Sequence, residues 1–523
     1  MSNPSILPAG AALWQQAERQ LDAGLQDAAA ETYRRLLRDP ELAPVAHLRL
    51  SLIASNQGRH RNAVDAALAA FETRRSDPDL LQAIAKRLML LGEVQPALEA
   101  AMDPAVLQGR DPHVQAELGR VLSNNFLPAE ALQLLERARA GGFRGPTLDY
   151  LLGMCRMYLG DSDGAAQALE EALRQQPRMA SAMHALAKLR LPAGAEGRIA
   201  RIQAALADGA GGEQAALLLY ALFAEHDRRD EIEPAWDALE RALQLRRAQV
   251  RYDAAVEQAL FDHLGALRPP PVRGHEDAGP RPVFIVGMPR SGTTLLERLL
   301  GNHADVADAG ELHDLVRQLR WTCDLEGSYY LDLALAQRAE EIDFAALGRR
   351  YLERTRWRAR GRPVYTDKLP ANFSNVSYIA RALPQARILH MVRSPMDTCF
   401  SNLKEWFAAG AYRHSCDQLE MADHFRRYRG LMAHWRSLYP DRILDVRYDE
   451  LVADPGQVMR EVLGFCGLPW QEGLLDADRR EGAVPTASAI QVREPIHGRF
   501  QQQWKRYETQ LAPLKQRLGA LAY

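Results

Sequence analysis

Alanine stands at Ala29, Ala63, Ala97, Ala131 and Ala165, a stride of 34 residues that never slips. Five positions earlier the same stride meets Gly24, Gly58, Gly92 and Gly160, with Phe126 in place of the fourth of five glycines. A strict period of this length restricts the fold, because each unit is one supersecondary element that buries its apolar face only by stacking on its neighbours. A glycine lets the chain leave one helix through a tight turn, and a small residue early in the next helix lets the two approach closely. The predicted unit is a helix–turn–helix pair.

With this period and these positions the segment resembles tetratricopeptide repeats, over about residues 8–190. The resemblance implies an α-helical solenoid with a concave face that docks a protein or peptide, although a purely structural scaffold is the plainer reading. Residues 191–267 stay helical in pattern, as at 215–225 and 234–245, but lose the stride, and are read as a capping and bridging segment. Pro269, Pro270 and Pro271, then Gly274 and Gly279, mark a linker at 268–280.

Several units are required in any case, since 523 residues correspond to roughly two to four domains. Hydrophobic residues make up 47% and charged residues 25% of the chain, as in an ordinary folded protein. A formal net charge of -2 gives no overall basic excess for nucleic acid or an anionic membrane. The five cysteines form no C-x-x-C pair, which points away from a disulfide framework or zinc ribbon and towards a reducing compartment. No leader run is visible at the start, and the longest apolar stretch, 215–224, is about half of a bilayer span. A cytoplasmic location without membrane insertion is the expectation.

The chemistry is concentrated in residues 281–523. Val283, Phe284, Ile285 and Val286 read as a buried parallel strand, which runs into Gly287, Met288, Pro289, Arg290, Ser291, Gly292, Thr293 and Thr294 before a helical stretch at 295–300. Main-chain N–H groups of such a loop and the following helix start can cradle a phosphate. Gly287 and Gly292 have the spacing of a Walker A loop, but Thr293 stands where a phosphoryl-transfer enzyme needs lysine. That departure suits a held 5′-phosphate better than a transferring γ-phosphoryl group with Mg²⁺, so no metal site is assigned.

A second strand–loop–helix follows at 387–406, with Arg393 at the strand end and Ser401 two helical turns beyond Ser394. Ser394, Pro395 and Asp397 read as N-cap, N1 and N3 of a capping box. Arg393 and Ser401 together suit a second phosphate. Two such sites ask for a nucleotide phosphorylated at both its 5′ and 3′ positions.

These motifs resemble those of sulfotransferases: Pro289 to Thr294 their 5′-phosphosulfate loop, and Arg393 with Ser401 eight residues on their 3′-phosphate motif. The resemblance spans 281–523 and implies an α/β P-loop-like domain with a central parallel sheet. It implies sulfuryl transfer from 3′-phosphoadenylyl sulfate (PAPS) to a hydroxyl, without a metal. Thr366, Asp367, Lys368, Leu369 and Pro370 carry lysine where small-molecule sulfotransferases have a catalytic histidine. Glu311 and Lys368 instead resemble the base and sulfate-contacting lysine of tyrosylprotein and carbohydrate enzymes. The tyrosylprotein motif is Gly-Glu-Glu, whereas this chain reads Gly310, Glu311, Leu312. Ser488 resembles a nucleotide-contacting serine of the tyrosylprotein enzymes, and Arg493 or Arg499 is the candidate for a late 3′-phosphate contact. The family's chemistry assigns Glu311 as proton acceptor, with Lys368 and Arg290 countering charge on the leaving oxygen. The cofactor-binding set is Arg290, Ser291, Gly292, Thr293, Thr294, Arg393, Ser401, Ser488 and Arg493. The acceptor implied is a protein tyrosine docked by the repeats. A saccharide, lipid or small alcohol stays open, as does a repeat scaffold with a non-catalytic nucleotide domain.

Overall fold

The computed structural model describes residues 9–191, 194–268, 279–407, 411–476, 484, 486, 496 and 498–522. Most of the linker read at 268–280, together with Ser488 and Arg493, lies outside the described residues. The five stride alanines are fully buried, each at 0% exposure. They sit in the second helices of the pairs Ala9–Asp22 and Gln26–Leu36, Ala43–Asn56 and His60–Glu72, Pro78–Leu91 and Val94–Ala101, Pro112–Asn124 and Pro128–Ala140, and Pro146–Leu159 and Ser162–Gln175. Gly24, Gly58, Gly92 and Gly160 adopt left-handed backbone with φ of 75, 69, 86 and 93°, and Phe126 adopts it too, at 61°. A side chain there costs about 1–2 kcal/mol, so packing of the helix pair, rather than glycine itself, dictates the turn.

A second small-residue register faces the first. Ala17, Ser51, Ala85, Gly119 and Gly153 keep the same stride in the first helices, and all are buried. A Cβ at Gly119 or Gly153 would meet Leu135 at 2.7 Å or Leu169 at 2.8 Å. Ser51 Oγ instead donates to the carbonyl of Ala63 at 2.6 Å. In the pairs that hold Ser51, Gly119 and Gly153 the small residue therefore lets the second helix approach closely, which the stride alanines alone express only in part.

Five strands, β1 (Arg281–Gly287), β2 (Val306–Ala307), β3 (Val364–Asp367), β4 (Arg387–Val392) and β5 (Ile443–Arg447), form one sheet in the order β2-β3-β1-β4-β5. Every pairing is parallel. The expected central parallel sheet is present. Side chains of β1 alternate between two covered faces: Val283 and Ile285 pack with Leu296, Leu299 and Met459, and Phe284 and Val286 join Val316, Tyr351 and Ile379. The chain builds β2 and β3 on one side of β1, then crosses to place β4 and β5 on the other. That reversal opens a crevice beyond the carboxyl ends of β1 and β4.

The two halves share one core. Leu219, Phe223, Trp236 and Leu239 of the bridging helices pack in one cluster with Phe400, Tyr507 and Leu514. Ring centroids of Tyr507 lie 6.1, 6.0 and 5.1 Å from those of Phe223, Trp236 and Phe400. Glu93 of the repeats is buried between Arg350 and Arg354, at 3.0 and 2.8 Å; stripped of either half, a buried charge would lose its partner. No described helix is long and apolar enough to cross a membrane.

Candidate functional site

The loop after β1 is shaped by steric necessity. Gly287 and Gly292 have φ of 151 and 108°; an added Cβ would lie 2.8 Å from the carbonyl oxygen of Met391 in one case and 2.5 Å from the ring of Tyr448 in the other. Arg290 between them is left-handed, φ 65°, a strained backbone of the kind held at binding sites. Asn402 Nδ2 donates to the carbonyl of Pro289 at 2.8 Å and pins the loop. The helix Thr293–Gly301 begins directly after Gly292. Ser291, Thr293 and Thr294 are buried at its start, and Ser291 Oγ has no hydrogen-bond partner among the described residues. Positive dipole, oriented N–H groups and an unsatisfied hydroxyl together make an anion cradle.

β4 ends beside it. Arg393 Nη1 donates to the carbonyl of Arg290 at 2.9 Å, its other Nη to the carbonyl of Phe500, and its Cζ lies 4.6 Å from the Tyr448 ring centroid. Its Nε is buried with no partner among the described residues. Ser401, on the helix Pro395–Leu403, accepts from Arg290 Nε at 3.4 Å. Thus Arg290, Arg393 and Ser401 converge. Ser394 is the N-cap and Pro395 stands at N1, but no side-chain cap bond forms. Asp397 instead accepts the N–H of Gln502 at 3.0 Å. The expected capping box is therefore corrected: the segment around 498–507 crosses this helix and offers Asp397 a donor from far away in sequence.

Glu311 and Lys368, predicted from separate motifs, meet. Lys368 Nζ donates to Glu311 Oε1 at 2.7 Å; the lysine is fully buried and the glutamate a quarter exposed. The backbone N–H of Lys368 also bonds Gly310 O at 2.9 Å. A buried carboxylate that sequence reasoning missed, Glu297, locates this loop: its Oε1 accepts from Gly310 N at 3.0 Å and from Thr366 Oγ1 at 2.7 Å, and its Oε2 lies 4.0 Å from Lys368 Nζ. An acid amid Leu295, Leu296, Leu299 and Leu300 was the available signal. These bonds set the Gly310–Glu311 register that the departure from Gly-Glu-Glu left open.

A cavity of about 900 Å³ joins these groups and runs between the two halves. Glu311, Arg290, Thr293, Arg393 and Ser401 line it from one side, and Tyr158, His184, Lys188 and Arg190 from the repeat side. Lys404, three positions beyond Ser401, was also missed; burial pushes its ammonium down to about 8, and Arg290, Arg190 and Arg393 push the same way while Asp227 opposes. Glu405 ties the halves together, pairing with Lys188 and lying 4.0 Å from Arg290. Around Glu311, Tyr330 and Tyr412 stand edge to face with centroids 5.9 Å apart. Burial and then the Glu311 charge push the Tyr330 phenol up to about 12.

Three further polar or aromatic residues of this half, His303, Trp406 and Arg447, have structural partners. His303 is buried with one ring nitrogen 2.9 Å from Pro469 O and the other accepting from Asp305 N at 3.1 Å, a packing role. Trp406 packs edge to face on Tyr220 at 5.6 Å. Arg447 makes an exposed ion pair with Glu450 at 3.0 Å.

Residues 282–472 match the model of the Sulfotransferase family. An uncharacterized protein of Aquifex aeolicus (strain VF5) is 32% identical over 302 residues, 55% of this chain and 39% of that protein. A protein-tyrosine sulfotransferase of Drosophila melanogaster is 28% identical over 233 residues, covering 42% and 46% of the two chains. This chain thus spans less than half the length of these two relatives. Among solved structures, the sulfotransferase domain of the Synechococcus PCC 7002 olefin synthase aligns at TM-score 0.26 and 21% identity, over 47% of this chain and 98% of that one. A tetratricopeptide repeat protein of Parabacteroides merdae ATCC 43184 aligns at TM-score 0.33 and 16% identity, over 48% and 96%. Behind an N-terminal half built of helix pairs that resemble tetratricopeptide repeats, residues 282–472 in the C-terminal half of this chain match the sulfotransferase family.

Proposed function

We propose that the chain transfers a sulfuryl group from PAPS to a hydroxyl acceptor. The observation that carries the reading is one cavity lined both by the β1 and β4 anion cradle and by Glu311, itself held by Lys368. Ser291, Gly292, Thr293 and Thr294 hold the 5′-phosphosulfate, and Arg393 with Ser401 holds the 3′-phosphate; the partnerless Ser291 Oγ and Arg393 Nε fit such an occupant. Ser488, by resemblance, and either Arg493 or Arg499 complete the nucleotide contacts.

In the reaction the acceptor oxygen bonds to sulfur while its proton passes to Glu311. The bond between sulfur and the bridging oxygen breaks, and adenosine 3′,5′-bisphosphate leaves with that electron pair. Lys368 holds the Glu311 carboxylate in place through its 2.7 Å hydrogen bond and, with Arg290, balances negative charge on the bridging oxygen.

The acceptor in this reading is a tyrosine of a polypeptide. The relatives named protein-tyrosine sulfotransferase support it, as do the aromatic groups Tyr158, Tyr330 and Tyr412 around the cavity. Residues 8–190 dock the polypeptide, 191–267 bridge, and 281–523 perform the transfer. The experiment is incubation with sulfur-labelled PAPS and a fractionated lysate, followed by identification of the labelled product. Label on protein tyrosine supports the full reading; label on saccharide or lipid overturns the acceptor alone.

A further inference from the structure

Arg190 belongs to the repeat half but faces the nucleotide cradle. It follows the helix Ala180–Lys188 with a left-handed backbone, φ 56°, so the chain bears strain where it carries this side chain into the cavity. Its guanidinium carbon lies 5.4 Å from the ring centroid of Phe500, and the Phe500 carbonyl is the group that Arg393 grips. Phe500 therefore links the two arginines.

No carboxylate among the described residues pairs with Arg190. The acidic groups that act on it, Asp227 and Glu405, are engaged elsewhere. Asp227 accepts from Arg506 at 2.8 Å and from the Tyr507 hydroxyl at 2.8 Å, and Glu405 pairs with Lys188. Arg499 approaches the same ring, its Cζ 5.0 Å from the centroid, and adds to the repulsion on Arg190. Arg190, Arg290, Arg393, Lys404 and Arg499 thus line one cavity, and among its described lining residues cations outnumber carboxylates. Such crowding is unfavourable alone and is relieved by a multiply charged anion.

We propose that Arg190 is an anion-binding residue of the nucleotide site, closing on the phosphate held by Arg393, so that the helical-repeat half completes the site. The inference rests on the nucleotide reading given above and extends it: the repeats bind the donor nucleotide as well as any acceptor. A cation supplied from the second half also ties donor binding to the presence of an intact repeat wall.

The test uses the full chain, with calorimetric titration of adenosine 3′,5′-bisphosphate and of adenosine 5′-phosphate into wild type, Arg190→Gln, Arg190→Lys and Arg393→Ala. Arg190→Gln is expected to weaken bisphosphate binding by roughly tenfold to a hundredfold, to leave the monophosphate nearly unchanged, and to be partly rescued in Arg190→Lys. Thermal unfolding of the variants checks that they fold like wild type. Wild-type bisphosphate affinity in Arg190→Gln alongside a loss in Arg393→Ala would overturn the role of Arg190 and leave the nucleotide reading standing. A rise in acceptor KM with unchanged bisphosphate affinity would assign Arg190 to the acceptor and overturn the inference equally. No bisphosphate binding by wild type would remove both.

Discussion

Lys368 and Glu311, 57 positions apart, are joined by a 2.7 Å hydrogen bond from Nζ to Oε1, and Glu297 holds the loop that brings them together. In the proposed reaction Glu311 takes the acceptor proton and touches no phosphate. Glu311→Gln is therefore expected to lower kcat by about a hundredfold or more while bisphosphate affinity stays close to wild type. Steady-state kinetics with parallel calorimetry check this; near-normal kcat would move the base elsewhere.

Gly292 allows no side chain. A Cβ there would meet Tyr448 at 2.5 Å from a backbone at φ 108°, and Tyr448 is the ring on which Arg393 lies. Gly292→Ala is expected to cost about 1–3 kcal/mol of stability and to abolish measurable nucleotide binding. Urea unfolding and calorimetry measure the two effects. A stable variant with normal binding would mean that the loop is not the cradle.

The common core joins the halves on either side of the linker. A fragment of residues 281–523 would expose Phe400, Tyr507 and Leu514, which pack against Phe223 and Trp236 in the whole chain. That fragment is expected to aggregate or to lack cooperative thermal unfolding. A monomeric fragment with a sharp transition and intact nucleotide binding would show that the shared cluster contributes little.

Stability should fall on acidification. Burial pushes His184 and His313 down to about 3 and His414 down to about 4, so the folded chain keeps these rings neutral where the unfolded chain protonates them. A histidine with a lowered folded value leaves stability intact above its unfolded value, near 6.5, and costs stability progressively as pH falls from there towards 4. The thermal midpoint is expected to be nearly flat from pH 8 to 7 and to decline between about pH 6.5 and 4. A midpoint that rises over the lower range would contradict the neutral assignment.

What the sequence makes legible is what local pattern controls. The alanine stride, β1 with its glycine loop, and β4 ending at Arg393 are all visible because period, strand burial and turn chemistry are local. The register of Ala17, Ser51, Ala85, Gly119 and Gly153 was equally present in the letters, hidden by its mixture of three residue types. Glu297, Lys404 and Arg190 are different: their surroundings come from helices tens to hundreds of positions away. The capping reading of Asp397 failed for the same reason, since Gln502, 105 positions on, supplies the donor. The shared core was invisible because a proline-rich linker describes the connection and not the surfaces that it joins.

Sulfuryl transfer itself is tested most directly with the purified full chain, sulfur-labelled PAPS and a tyrosine-containing protein acceptor, following nucleotide and acceptor in the same reaction. Equal amounts of adenosine 3′,5′-bisphosphate and sulfated acceptor are expected from wild type, with both reduced by about a hundredfold or more in Glu311→Gln. Unconsumed PAPS across protein, saccharide and small-alcohol acceptors, or turnover of ATP in its place, would contradict a sulfotransferase.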